Sequence, residues 1–172
     1  MRDKRIKIKL LPGALLAAIF AISAVFAACI LPRSGFSSHA QKAEDLRKQA
    51  KFEEAVSEYL LHIDERLRAT RRPPDENPYF YYILIGDTYL ERHEPARAEQ
   101  FYSKALDKKV EQALLSDRFR TLGEWYKKRN DFENAFKVLK KYREIDPMMF
   151  DFEIDAVHKA QVEKEEQEEH HR

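Results

Sequence analysis

Apolar residues are distributed along this chain in two different ways. Residues 10–31 form a continuous stretch without a charged side chain, whereas from residue 39 onward apolar residues recur every three or four positions between charged ones. The second pattern is typical of amphipathic helices that bury one face. The 172 residues include only four Gly and seven Pro, and 35% are charged, which favours helices with solvated faces. We therefore predict an all-α fold.

The apolar stretch 10–31 is predicted to be a transmembrane anchor. As a helix it would span roughly 33 Å, about the thickness of the hydrocarbon core of a bilayer. Residues 1–9 carry five Lys or Arg and one Asp, whereas only Arg33 follows the stretch closely. The positive-inside rule then places residues 1–9 in the cytoplasm and everything after the anchor on the non-cytoplasmic, periplasmic side of the membrane.

Cys29 gives the same segment a second interpretation. Residues 25–29, VFAAC, resemble the lipobox of bacterial lipoproteins, in which a Cys after small residues is acylated and becomes the new N-terminus. The signal would then end at residue 28, and the protein would be lipid-anchored in the outer membrane. Ordinary signal cleavage is a third possibility. The uncleaved anchor is favoured because the apolar run is longer than the core of a cleavable signal.

Small residues also form a stripe in this segment, at Ala17, Ala21, Ala24 and Ala28. Such a stripe allows a second membrane helix to approach closely, although Ala is also frequent in membrane segments in general. It leaves open the alternative that the protein is a structural accessory subunit that contacts a membrane complex through its anchor.

Three segments of the remaining chain share one layout, which indicates an internal repeat. Each has a small residue, then an apolar or aromatic residue, then an Ala followed by Tyr or Leu. These residues are Ala43, Leu46, Ala55 and Tyr59, then Gly86, Tyr89, Ala98 and Tyr102, then Gly123, Tyr126, Ala135 and Leu139. The layout predicts a helix, a turn and a second helix, three times. A Gly inside a helix costs about 1 kcal/mol relative to Ala, so Gly86 and Gly123 predict places where the facing helix leaves no room for a Cβ atom.

These residues resemble the tetratricopeptide repeat (TPR) family. The second repeat matches through Tyr82, Ile85, Gly86, Tyr89, Ala98, Tyr102 and Ala105, and the third through Phe119, Leu122, Gly123, Tyr126, Ala135, Leu139 and Pro147. The first repeat lacks an aromatic residue at its start and has His62 where the second has Ala105. The resemblance implies an α-solenoid of about three helix-turn-helix repeats, at about residues 36–69, 79–112 and 116–149, in a domain that covers residues 39–147.

The segments around the repeats have their own predicted roles. Residues 32–38 are a linker, and in the connector before the second repeat Asn77 is suited to cap the next helix, which Pro78 opens. Residues 148–162 place Phe150, Ile154 and Val157 on one face and predict a helix that caps the open end of the stack. Residues 163–172 are an acidic tail that we expect to fray.

The chain lacks the motifs that catalysis would need. It has no Gly-rich phosphate loop, no HExxH and a single Cys. The formal net charge is +1, and residues 1–9 contribute +4 of it, so the remainder totals −3 and offers no basic surface for nucleic acid. We therefore expect no enzymatic activity, no cofactor, no metal, no small-molecule substrate and no nucleic-acid partner.

The TPR resemblance implies a groove lined by the first helix of each repeat, where a protein partner binds. The predicted binding residues are Phe80, Ile83, Leu84 and Asp87 in the second repeat and Arg120 and Glu124 in the third. Leaving the three apolar ones in water would forgo roughly 1.5–3 kcal/mol each, so either a partner covers them or another part of the chain does. The carboxylate clamp of chaperone-binding members is absent, since its positions are occupied by Ala40, Glu44, Leu84, Asp117 and Thr121.

Together these features predict a membrane-anchored, non-catalytic scaffold or assembly factor of a bacterial cell envelope. It would bind a protein partner through the groove and the membrane through residues 10–31. The accessory subunit and the outer-membrane lipoprotein are the alternatives. In a eukaryotic cell the same sequence would suggest an organelle-surface receptor with its repeats in the cytosol.

Overall fold

The computed structural model describes residues 38–171, and every regular element in that range is helical. The α-helices are α1 Ser38–Lys48, α2 Phe52–Arg68, α3 Tyr81–Glu91, α4 Pro95–Asp107, α5 Gln112–Lys127, α6 Phe132–Lys141 and α7 Pro147–His170, and two short 3₁₀-helices cover Pro78–Phe80 and Arg143–Ile145. The predicted all-α class is thus confirmed for these residues. The predictions for residues 1–37, including the anchor at residues 10–31 and acylation of Cys29, lie outside them. Between residues 38 and 171, no helix combines the length and the apolar character needed to cross a membrane.

The helices pack mainly on their neighbours in the chain. They form the pairs α1–α2, α3–α4 and α5–α6, and successive pairs are joined because α2 contacts α3 and α4 contacts α5. The last helix, α7, packs on α5 and α6. The buried apolar side chains from all of these helices form one continuous core.

Close approach within the second and third pairs confirms the role predicted for the two glycines. A Cβ atom built on Gly86 would lie 2.6 Å from Cδ1 of Tyr102, and one built on Gly123 would lie 2.6 Å from Cδ2 of Leu139. Both distances are far shorter than a carbon–carbon contact allows. The alanines that precede these partners, Ala98 and Ala135, are fully buried.

The turns that end the first helix of each pair repeat one geometry. Ala50, His93 and Asn130 each adopt a left-handed backbone, with φ of 58°, 62° and 59°. The next residue donates its N–H to a carbonyl in the last turn of the helix, as Glu94 does to Tyr89 at 2.9 Å. This Schellman-type ending satisfies carbonyls that the helix leaves without partners.

The connector between α2 and α3 ends as the sequence predicts. Asn77 caps the 3₁₀-helix Pro78–Phe80, because its side chain accepts a hydrogen bond of 3.1 Å from the N–H of Tyr79. Its amide nitrogen also donates to the carbonyl of Lys108 at 3.1 Å. Asn77 therefore links the start of the second pair to the end of α4.

Helix α7 covers the last pair and is longer than the apolar pattern predicts. Phe150 and Val157 are buried, as expected for a capping helix, and Asp146 caps its start by accepting from the N–H of Met149 at 3.1 Å. The helix does not end near residue 162 but continues to His170 as an exposed acidic segment. Glu, Gln and Lys are strong helix formers, and pairs one turn apart, such as Gln161 with Glu165 at 3.0 Å, add to this.

Candidate partner-binding cleft

An open cleft of about 440 Å³ lies between the first helices of the three pairs. Its lining side chains come from α1, α3 and α5 and from the two turns that follow α3 and α5; they are Arg47, Asp87, Leu90, Glu91, His93, Arg118, Thr121, Trp125 and Arg129. We refer to these residues as the cleft. Most of them are charged, and Leu90 and Trp125 provide the apolar surface.

An ion pair joins α1 to α3 at one end of the cleft. Nε of Arg47 donates to both carboxylate oxygens of Glu91, at 3.1 and 3.0 Å, and Nη2 adds a contact of 2.5 Å. Behind Arg47, the hydroxyl of Tyr59 donates to Glu44 at 3.0 Å. Burial, followed by the hydrogen bond to Glu44, raises the pKa of Tyr59 to about 12, so this hydroxyl stays a donor at neutral pH.

Asp87 joins three helices in the middle of the cleft. Nε of Arg118, on α5, donates to its two oxygens at 2.9 and 3.2 Å, and the hydroxyl of Tyr102, on α4, donates to Oδ1 at 2.8 Å. Burial and the charge of Asp87 raise the pKa of Tyr102 well above its usual range, which keeps the hydroxyl protonated. The carboxylate is therefore held by two donors from two different helices.

A second row of charges runs along α5 beside the cleft. Asp117 accepts from Nη2 of Arg120 at 2.7 Å, and Nη1 of Arg120 donates to Glu124 at 2.9 Å. The hydrogen bond from Arg120 is the main reason why the pKa of Asp117 lies below its usual value. These side chains are partly exposed and already paired with one another.

The other end of the cleft is formed by Trp125, Arg129 and His93. The guanidinium of Arg129 lies over the indole ring at 3.6 Å from its centre, and Nη1 donates to the carbonyl of Trp125 at 3.2 Å. Nη2 of Arg129 donates to Nδ1 of His93 at 3.4 Å, and the rings of His93 and Trp125 lie 6.3 Å apart. Trp125 is only partly buried, so the part of the indole that Arg129 leaves uncovered is presented together with the cation.

The structure separates the residues predicted to bind a partner. Asp87 lines the cleft, whereas Arg120 and Glu124 lie next to it on α5. Phe80 is 38% exposed at the start of the second pair, and Leu84 is partly buried against the core. Ile83 is 1% exposed and presents no surface to a partner, which corrects the prediction. Helix α3 is covered not only by its pair partner α4 but also by α2 and α5, which leaves less of its surface exposed.

Sequence reasoning missed most of the cleft. Arg47, His93, Trp125 and Arg129 were not among the predicted binding residues. A signal was present for Trp125, which follows the clamp position Thr121 by four residues and so lies on the same face of α5. Arg129 follows four residues later, in the turn after the helix. His93 gave no such signal, since it enters the cleft through the left-handed turn after α3.

The cleft offers recognition groups and no group of metal ligands. No cluster of three or more His, Cys, Asp or Glu suited to a metal occurs in the described part of the chain. Neither a scan against protein-family models nor a search of curated proteins gives a match to this sequence.

Proposed function

We propose that the protein is a membrane-anchored, non-catalytic scaffold or assembly factor of the TPR type, which holds a protein partner in the cleft. The observation that carries this proposal is that the first helices of three successive pairs contribute to one cleft whose walls are braced by the pairs Arg47–Glu91 and Asp87–Arg118. A preformed cleft of this kind reduces the ordering that binding would otherwise require.

Repetition within the fold supports the TPR part of the proposal. The same interlock, a small residue under a large one of the partner helix, occurs at Gly86 and at Gly123, and the same left-handed turn ends the first helix of each pair. Stacked pairs of this kind bury their apolar faces against one another and leave one side of the stack for recognition.

The membrane part of the proposal is based on the sequence of residues 10–31. The uncleaved anchor would hold the helical domain close to the bilayer on the periplasmic side. Labelling with a radioactive fatty acid tests this part. If the wild-type protein takes up the label and Cys29→Ser does not, the protein is held by a lipid anchor and not by a transmembrane helix.

Site-specific photo-crosslinking in membranes tests the binding part. A photoreactive amino acid at Thr121 or at Leu90 in the cleft should give the same adduct, identified by mass spectrometry, and Trp125→Ala should abolish it. A matched probe at the exposed Glu133 on α6 should not give it. Equal adducts from all three positions, or none from the cleft positions, would refute a binding role for the cleft.

A further inference from the structure

Arg129 differs from the other two arginines of the cleft. Arg47 is paired with Glu91, and Arg118 is paired with Asp87 and Asp117. Among residues 38–171 no carboxylate lies within ion-pair distance of Arg129; its guanidinium stacks on the ring of Trp125 and donates to the carbonyl of Trp125 and to the ring of His93. Its charge is therefore not compensated inside the described domain.

The position of Arg129 is fixed although its charge is not compensated. The guanidinium lies 3.6 Å from the centre of the Trp125 ring, and hydrogen bonds from Nη1 and Nη2 attach it to the Trp125 carbonyl and to His93. A guanidinium has five N–H donors, so this exposed side chain keeps donors for a ligand beyond those two hydrogen bonds. A donor that is held in place before binding loses less conformational entropy when a carboxylate binds.

The uncompensated charge of Arg129 favours an acidic ligand. Arg47 lies within ion-pair distance of Glu44 and Glu91, and Arg118 within that of Asp87 and Asp117. Arg129, beside Trp125, is the lining arginine to which the described residues give no carboxylate partner. We propose that the partner segment carries an Asp or Glu next to an apolar side chain, with its carboxylate on Arg129 and its apolar group on Trp125 and Leu90. This inference rests on the proposed function, because it names the chemistry of the partner of the same cleft.

Peptide arrays and tryptophan fluorescence test the inference. Trp125 is the only Trp in the chain, so the intrinsic fluorescence of the full-length protein in detergent reports on this end of the cleft. The probes are synthetic peptides in which Asp or Glu neighbours Leu or Phe, each paired with an isostere that carries Asn or Gln instead. We expect the acidic members to bind more tightly, and Arg129→Gln to weaken them by about fivefold while binding of the amide members is unchanged.

Matched variants make the result specific. Lys137→Gln removes an exposed cation of α6 outside the cleft and should leave both peptide series unaffected. Arg129→Lys keeps the charge but loses the planar stacking, and should restore only part of the preference. Arg129 is exposed, so an unchanged unfolding temperature will show that Arg129→Gln is folded.

Two results would overturn the inference. If the wild-type protein binds acidic and amide peptides equally, the carboxylate preference is refuted, whereas peptide binding itself and the proposed function stand. If it binds none of the acidic peptides, the inference is also refuted, and the crosslinking at Thr121 and Leu90 then decides the proposed function separately.

Discussion

Tyr102 lies so close to Gly86 that its ring leaves no room for a side chain at position 86. A Cβ atom on Gly86 would be 2.6 Å from Cδ1 of a ring that is itself fully buried. We therefore expect Gly86→Ala to lower the free energy of unfolding by about 2 kcal/mol, because overpacking outweighs the gain of about 1 kcal/mol in helix propensity. Urea unfolding followed by circular dichroism measures this change.

Gly123→Ala provides the matched comparison. The obstacle there is Leu139, whose Cδ2 and Cγ would lie 2.6 and 2.8 Å from the added Cβ; this buried aliphatic side chain can shift more easily than the rigid ring of Tyr102. The cost should be smaller, about 1 kcal/mol or less, since the propensity gain is the same. If Gly123→Ala destabilised the protein as much as Gly86→Ala, the ring of Tyr102 would not be the cause of the larger effect.

Most of the fold was predictable because its determinants are local. The helical periodicity, the buried alanines and the close approach at Gly86 follow from spacings within one pair. The cleft depends on how successive pairs are oriented, and its ion pairs join residues 44 positions apart, in Arg47–Glu91, and 31 apart, in Asp87–Arg118. The burial of Ile83 could not be predicted for the same reason. The apolar pattern within α3 does not show that α2 and α5 also cover this helix.

The carboxylate of Asp87 should couple α3 to α4 within the second pair. Tyr102→Phe removes one donor and should cost about 1 kcal/mol. Asp87→Ala should cost about 2 kcal/mol because it leaves the buried hydroxyl of Tyr102 without its acceptor and removes the acceptor of Nε of Arg118, which keeps only its contact with Asp117. The double variant should cost less than the sum of the two. A double-mutant cycle by urea unfolding measures the coupling, and additive effects would show that the hydrogen bond contributes nothing.

The left-handed turn after α1 offers a stabilising substitution. Ala50 has a φ of 58°, which an L-residue with a Cβ atom adopts only at a cost. Ala50→Gly should therefore raise the free energy of unfolding by about 1 kcal/mol. Asn130→Gly, at the equivalent turn after α5, should gain less because Asn tolerates this conformation. Equal gains at both positions would contradict this explanation.

Glu58 should make the first pair sensitive to acid. Its carboxylate lies 2.6 Å from Nδ1 of His39 and 2.5 Å from Nζ of Lys42, so it fastens α1 to α2. These hydrogen bonds, that from His39 first, lower the pKa of Glu58. A lowered pKa stabilises the folded state above the unfolded-state pKa of about 4.3, and this contribution is lost as the pH falls through the folded-state pKa.

Glu58→Gln is the corresponding experiment. The variant should lose about 1 kcal/mol at pH 7 and should approach the wild type in stability as the pH falls below about 4. Glu54→Gln, an exposed position on the same helix, should change neither value. Thermal unfolding between pH 7 and pH 3 compares the three proteins. A constant difference between Glu58→Gln and the wild type would exclude the ionised carboxylate as the source of the effect.

His62, where the first repeat departs from the small residue of the second, should also make stability depend on pH. Its side chain is 4% exposed and packs edge-on against Tyr81 at 4.2 Å between ring centres, and its buried Nδ1 has no hydrogen-bond partner. Burial is the main reason why its pKa lies below the usual value. The unfolded chain therefore takes up a proton first, and stability is lost as the pH falls below about 6.5.

His62→Leu should remove this loss. At pH 7 its stability should stay within about 1 kcal/mol of the wild type, because losing the contact with Tyr81 offsets the removal of an unsatisfied nitrogen. At pH 5 the variant should be the more stable protein. The charged groups around His62 are Glu65 and Arg66 on α2, Glu76 in the connector and His39 on α1, and none of them is changed by this substitution. His170→Gln, in the exposed end of α7, is the control and should follow the wild-type pH profile. Parallel profiles for His62→Leu and the wild type would show that the pKa of His62 does not differ between the folded and unfolded states.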